Sequence, residues 1–175
     1  MKTVLMSFVV MFASVLAAAE TKLPSFESIV ALGEGEAARA AVRRVKGDAV
    51  LLARLAREAK SWRLRADALY FLRDQEVMSE MLAKDADWRV RVAAVFHLQD
   101  GETLARVALS DPSPHVRSAA VRNLRDLSLL EKISREDVSA AVRQAAAQKL
   151  PPPPREAKEV PEPKATVVTV EFREV

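Results

Sequence analysis

Arg39, Arg65, Arg91, Arg117 and Arg143 recur at every twenty-sixth position, and Asp48, Asp74, Asp100 and Asp126 keep the same spacing. Laid out at that period, the chain aligns without a gap. The residue before each arginine is Ala38, Leu64, Val90, Val116 or Val142. Three after it come Val42, Ala68, Ala94, Ala120 and Ala146; seven after it come Lys46, Leu72, Leu98, Leu124 and Leu150. A fixed period of this length implies stacked supersecondary units, none of which can bury its apolar face alone.

Each unit reads as two helices. Leu64, Ala68 and Leu72 fall at i, i+4 and i+8, while Met78, Met81 and Leu82 fall at i, i+3 and i+4. Each set forms one helical stripe. Ser61, Asp87, Ser113 and Ser139 share a column in front of the first helix, A, and are good N-caps; Pro114 suits the first helical position. The Asp48, Asp74, Asp100 and Asp126 column caps the second helix, B. Helix A is predicted over 62–72, 88–98, 114–124 and 140–150, and helix B over 49–58, 75–84, 101–110 and 127–134. The small alanines of helix A allow close approach between neighbours. Met78 and Met81 read as core rather than as a flexible binding patch.

The ends of the stack differ. Ser25 to Leu32, stopped by Gly33, places Phe26 and Ile29 one full period before Leu52 and Leu55, so it reads as an unpaired helix B over the N-terminal end. The last helix A has no helix B after it, which leaves Val142, Ala145 and Ala146 to be covered by something else. The expected fold is all-α: a short right-handed α-solenoid over 36–150, preceded by a capping segment over 20–35.

The flanks are of another kind. Lys2, the uncharged apolar run Val4 to Leu16 and Ala17-Ala18-Ala19 read as a secretory signal peptide over 1–19, cut before Glu20. The run is short for a membrane span and lacks a basic flank after it. The expected location is therefore periplasmic or secreted, with no membrane span after cleavage. The chain has no cysteine, which rules out disulfides, zinc-thiolate sites and a lipid-attachment cysteine. Residues 151–164 are proline-rich and predict a stiff polyproline spacer. Within 165–175, Val168, Val170 and Phe172 alternate with Thr169, Glu171 and Arg173, a strand-like pattern. A lone strand needs backbone partners. It can fold back over the last helix or add to a partner's sheet, and the second is favoured because the spacer holds it away from the body.

DPSPHVRSAAVRNL (111–124) and DADWRVRVAAVFHL (85–98) resemble the HEAT-like repeats of the phycobilisome-lyase type: aspartate, then valine-arginine, paired alanines and leucine. The resemblance covers about 36–150. It implies a scaffold that binds proteins and a structural polar ladder, matched here by Asp85–Arg91, Asp111–Arg117 and Asp137–Arg143. Gly33 and Ala59 replace the aspartate in the first two units, so the ladder is expected to be incomplete there.

Function lives in a site placed on a fold, and the sequence displays no catalytic one. There is no cysteine nucleophile and no Ser–His–Asp arrangement. Gly33-Glu34-Gly35 lacks the lysine and serine of a phosphate loop. His97 and His115 are well separated and show no metal-ligand pattern, so neither a metal nor a cofactor is expected. Nucleic acid is not an expected partner, given export and a net charge of only +3. The leading reading is a non-enzymatic scaffold in the envelope or periplasm with a protein partner. The alternative is a lyase-like or other small-ligand-binding enzyme, which would need an apolar cleft.

Helix B is taken to line the concave face. Arg54, Arg57, Glu80, Lys84, Arg106, Lys132 and Arg135, on or beside it, form the candidate groove, suited to a partly acidic segment. A solvated face that binds nothing fits the same residues. Trp62 and Trp88 share one column and read either as an aromatic patch or as packing over the seam between units. The candidate tail contacts are Val168, Val170 and Phe172.

Overall fold

The computed structural model describes residues 22–152. The expected signal peptide over 1–19, most of the expected spacer over 151–164 and the tail over 165–175 lie outside the described residues. Among the described residues the chain is entirely helical. In order, the helices are α1 (Phe26–Ala31), α2 (Glu36–Arg44), α3 (Ala49–Glu58), α4 (Trp62–Leu72) and α5 (Gln75–Lys84). Then come α6 (Trp88–His97), α7 (Gly101–Ser110), α8 (Pro114–Asn123), α9 (Leu127–Glu136) and α10 (Ala140–Ala147). Even-numbered helices are type A and odd-numbered helices from α3 onward are type B.

The aspartate column begins every B helix as expected. Asp48 accepts from the Leu51 N–H, Asp74 from those of Glu76 and Val77, Asp100 from Glu102 and Asp126 from Leu129. Each bond satisfies a first-turn donor that has no partner inside the helix. Ser25 caps α1 in the same way, and Gly33, with φ +73, takes the left-handed conformation that follows its end.

The serine column behaves differently. Ser61, Ser113 and Ser139 occupy the N-cap positions of α4, α8 and α10, yet none makes a side-chain cap bond; only Asp87 does, to the Arg89 N–H. At Ser113 and Ser139 the first turn closes instead as a 3₁₀ turn, with Val116 and Val142 donating to the backbone carbonyls of these serines at 3.1 Å. That donor is the one a serine hydroxyl would have used.

Each B helix forms its closest hairpin with the A helix that follows it: α3 with α4, α5 with α6, α7 with α8, α9 with α10. This pairing overturns the expected bare end. Val142, Ala145 and Ala146 are all buried, because α9, which precedes α10, already covers them. The helix α10 stops at Ala147, short of the predicted 150, and residues 148–150 form a turn before Pro151. Successive A helices pack directly on one another from α4 to α10, whereas neighbouring B helices make few close approaches. The fully buried Ala68, Ala94, Ala120 and Ala146 permit this, since a methyl group keeps two helix axes close. A stack curves towards its more tightly spaced row. The inner face is therefore built by the A helices, and not by the B helices as the sequence suggests.

Candidate protein-binding face

A polar ladder fixes the spacing between units, with a different pairing from the expected one. The guanidinium of Arg65 forks onto Asp85 at 2.7 and 2.9 Å, that of Arg91 onto Asp111 at 2.9 and 3.0 Å, and that of Arg117 onto Asp137 at 2.9 and 2.9 Å. Each arginine thus reaches the aspartate of the next unit. The aspartate six positions earlier offers only its backbone carbonyl: Arg91 Nη1 donates to Asp85 O at 3.0 Å, Arg117 Nη1 to Asp111 O at 2.9 Å and Arg143 Nη1 to Asp137 O at 2.7 Å. The expected pairs Asp85–Arg91, Asp111–Arg117 and Asp137–Arg143 therefore meet through the main chain, because each carboxylate points back to the preceding unit. The same carboxylates accept from the N–H two positions ahead, at Asp87, Ser113 and Ser139. One arginine so ties two successive B–A loops together.

Arg65, which sequence reasoning left out of the ladder, was findable: it lies in the arginine column, and Asp85 follows it at the same separation as Asp111 follows Arg91. Arg39 has Ala59 at that distance and turns to Asp67 at 3.1 Å while staying half exposed. At the other end Arg143 meets no carboxylate among the described residues. The hydrogen bonds from Arg117 hold the Asp137 carboxyl below its ordinary range, against the opposing effect of burial.

The inner face lies between two rows of larger side chains. At the start of the A helices, Trp62 and Trp88 sandwich Arg89, whose guanidinium carbon lies 4.7 and 5.0 Å from the two rings. Arg63 covers Trp62 at 4.8 Å, and Trp88 stacks on His115 at 4.5 Å. Both tryptophans are partly buried against the core, so they pack over the seam while their stack shows an edge to solvent. Near the ends of the A helices, Tyr70 and Phe96 stand 6.4 Å apart and are 49% and 65% exposed. Arg122 continues their column on α8 and is exposed. Small or apolar residues, Ala66, Val92 and Ser118, form the floor between the rows.

Side chains behind this second row lock it. Gln75 donates to His97 O at 3.1 Å and accepts from the Gln99 N–H at 2.9 Å. Asn123 donates to Val95 O at 2.7 Å, and Lys149 donates to the carbonyls of Arg122 and Leu124. His97 contacts both Tyr70 and Phe96; burial first, and the Arg73 charge second, push its pKa below the ordinary value, so the ring is neutral near pH 7. A hollow of about 1070 Å³ lies beside this edge between His97, Asp100, Asn123 and Asp126. It is open, and Asp100 and Asp126 are already used as helix caps.

The B-row candidates are brought onto one surface, where they pair with one another. Arg54 donates to Glu58 at 3.0 Å and to Glu27 at 3.2 Å and lies 3.9 Å from the Phe26 ring. Arg57 donates to Glu80 at 2.8 Å, Lys84 to Glu80 at 3.3 Å, and Arg135 to Glu131 at 3.1 Å. These contacts leave less free charge than the sequence suggests. Arg106 and Lys132 are exposed. Val168, Val170 and Phe172 lie outside the described residues.

The family model of the HEAT repeat matches residues 104–130, from within α7 through α8 into α9. Over that one period, the stack is HEAT-like. The match is to the repeat in general and not to the phycobilisome-lyase type. HEAT repeats suggest a helical scaffold for protein interaction, and the all-helical stack has the architecture of one. Comparison with curated proteins and with solved structures found no match. Among the described residues, no helix is long and apolar enough to cross a membrane.

Proposed function

We propose that the chain is an exported, non-enzymatic scaffold, periplasmic or secreted, that binds a protein partner along the face formed by its A helices. The observation that carries this reading is the pair Tyr70 and Phe96, large rings left exposed on rigid, closely packed helices and continued by Arg122. Aromatic residues and arginine dominate protein-binding hot spots, and rigid presentation lowers the entropy cost of association. On the B row Arg54, Arg57 and Arg135 pair with neighbouring glutamates, and the exposed large apolar side chains Leu109 and Leu127 carry no ring. Mature chain used as bait in cell-envelope extract tests the reading. Replacing Tyr70 and Phe96 together with alanine is expected to lower partner capture at least ~10-fold, equivalent to ~1.4 kcal/mol. Replacing Arg106 and Lys132 with alanine is expected to leave it within about twofold, as befits rim charges. The opposite pattern would return the function to the B row.

Export rests on Lys2, the apolar run Val4 to Leu16 and the three alanines that follow. The mature chain is expected to begin at Glu20 when its intact mass is measured. A secreted chain that retains Met1 to Ala19 would contradict this.

A further inference from the structure

We propose that the hollow beside Gly101 takes a primary carboxamide, the side chain of an asparagine or glutamine on the partner that docks on Phe96. The inference rests on the A row being the binding face and adds one chemical requirement to what that face accepts. It comes from comparing two successive units of the stack.

At the turn between α6 and α7, Gln75 reaches across from the first position of α5. Its carboxamide donates to His97 O at 3.1 Å and accepts from the Gln99 N–H at 2.9 Å. One unit on, the turn between α8 and α9 has the same backbone. Leu124 (φ −63, ψ 145) and Asp126 (φ −71, ψ 108) repeat Leu98 (φ −70, ψ 131) and Asp100 (φ −69, ψ 108). Asn123 O and the Arg125 N–H therefore stand as His97 O and the Gln99 N–H do. One period after Gln75, however, comes Gly101, which brings no side chain to them. Neither group has a hydrogen-bond partner among the described residues. Lys149 donates to the carbonyls of Arg122 and Leu124, on either side of that of Asn123. The hollow of about 1070 Å³ opens here, lined by Gly101, Asn123, Arg125 and Phe96. It is at the upper end of small-ligand pockets, ~300–1,000 Å³, so it holds a carboxamide together with a stretch of the chain that carries it.

The donor and acceptor select the ligand. A carboxylate can accept from the Arg125 N–H but has no proton for Asn123 O, and it would meet Asp100, Glu102 and Asp126, which also line the hollow. An ammonium group donates and cannot accept. A trans peptide group carries both functions, but its N–H and C=O point in opposite directions. A primary carboxamide offers both on one side, as Gln75 does one unit earlier.

The test supplies the carboxamide in two ways, both with the full mature chain. In the first it is built in, as Gly101→Gln with Gly101→Ala as control. Alanine and glutamine are both good helix formers, and a Cβ at Gly101 meets nothing within 4 Å, so the difference between the variants reports the bridge. Hydrogen exchange at the Arg125 amide is expected to be at least about fivefold slower in Gly101→Gln than in Gly101→Ala, the worth of one net hydrogen bond. Equal exchange would show that the turn does not present the pair, and overturns the proposal. In the second, the Arg125 amide signal of the parent is followed by NMR as N-acetylglutamine methylamide is added, with the glutamate and methionine analogues alongside. The expected result is a saturable shift at least about threefold larger with the glutamine compound than with either analogue, and lost in Gly101→Gln. No saturable shift, equal shifts with all three compounds, or a shift that survives Gly101→Gln overturns the proposal. No partner is present in these measurements, so the proposal can fail while partner capture through Tyr70 and Phe96 stands, and the reverse.

Discussion

Arg117→Ala is expected to destabilise the stack by about 3 kcal/mol or more, lowering Tm by roughly 10 °C for a folded body of this size. The Arg117 and Asp137 side chains are only 9% and 8% exposed. Removing the guanidinium strips Asp137 of a two-pronged charge-assisted bond and leaves its carboxylate with the Ser139 N–H alone. It also frees the Asp111 carbonyl, so two loops lose their tie at once. Arg143→Ala is the matched control, since that arginine bonds carbonyls but no carboxylate among the described residues. It should cost about 1 kcal/mol, the ordinary value of a net hydrogen bond. The effect is also pH-dependent. The Asp137 carboxyl is depressed in the fold, so the pair's contribution is fully present above the unfolded value near ~4 and is lost as pH falls through the depressed folded value. The stability gap between parent and Arg117→Ala, read by chemical denaturation, should hold from pH 7 to about 5 and narrow as the pH falls below ~4. A gap that persists unchanged in acid would show that the arginine stabilises by packing and not by charge.

The second large effect is expected from Ala94→Leu, at about 3 kcal/mol, the upper part of the usual range for overpacking a core. Ala94 is fully buried in α6, which packs on α4 at one side and α8 at the other. A leucine there has to push one neighbour away, and the displacement is shared by the Arg65–Asp85 and Arg91–Asp111 bonds that span the same seams. Leucine and alanine have similar helix propensity, so the loss reports packing alone. Ala83→Leu, at an exposed position of α5, should change stability by less than about 0.5 kcal/mol. If the two variants melt together, the A row is looser than its alanines imply.

The strict repeat period was enough to determine the class of fold, because stacking is the one way such short apolar stripes can be buried. Local chemistry likewise determined the B-helix starts: an aspartate at an N-cap acts on N–H groups two or three positions away, and nothing distant has to be known. The same locality explains where sequence reasoning stopped. A column of arginines and a column of aspartates are compatible with pairing back within a unit or forward into the next. Only the packed loops decide that the main chain is met within the unit and the carboxylate in the next one. Serine at a cap position is equally ambiguous until the first turn is seen to close on its own carbonyl. Which row lies inside the curve depends on relative spacing between helices that are not adjacent in sequence, and the buried alanines set that spacing only once they face one another. Tyr70 and Phe96 drew no notice in the sequence, since an aromatic residue in an amphipathic helix ordinarily marks the core. They became a surface because close A–A packing left the late edge of each helix outside, where a ring can meet a partner instead of a neighbouring helix.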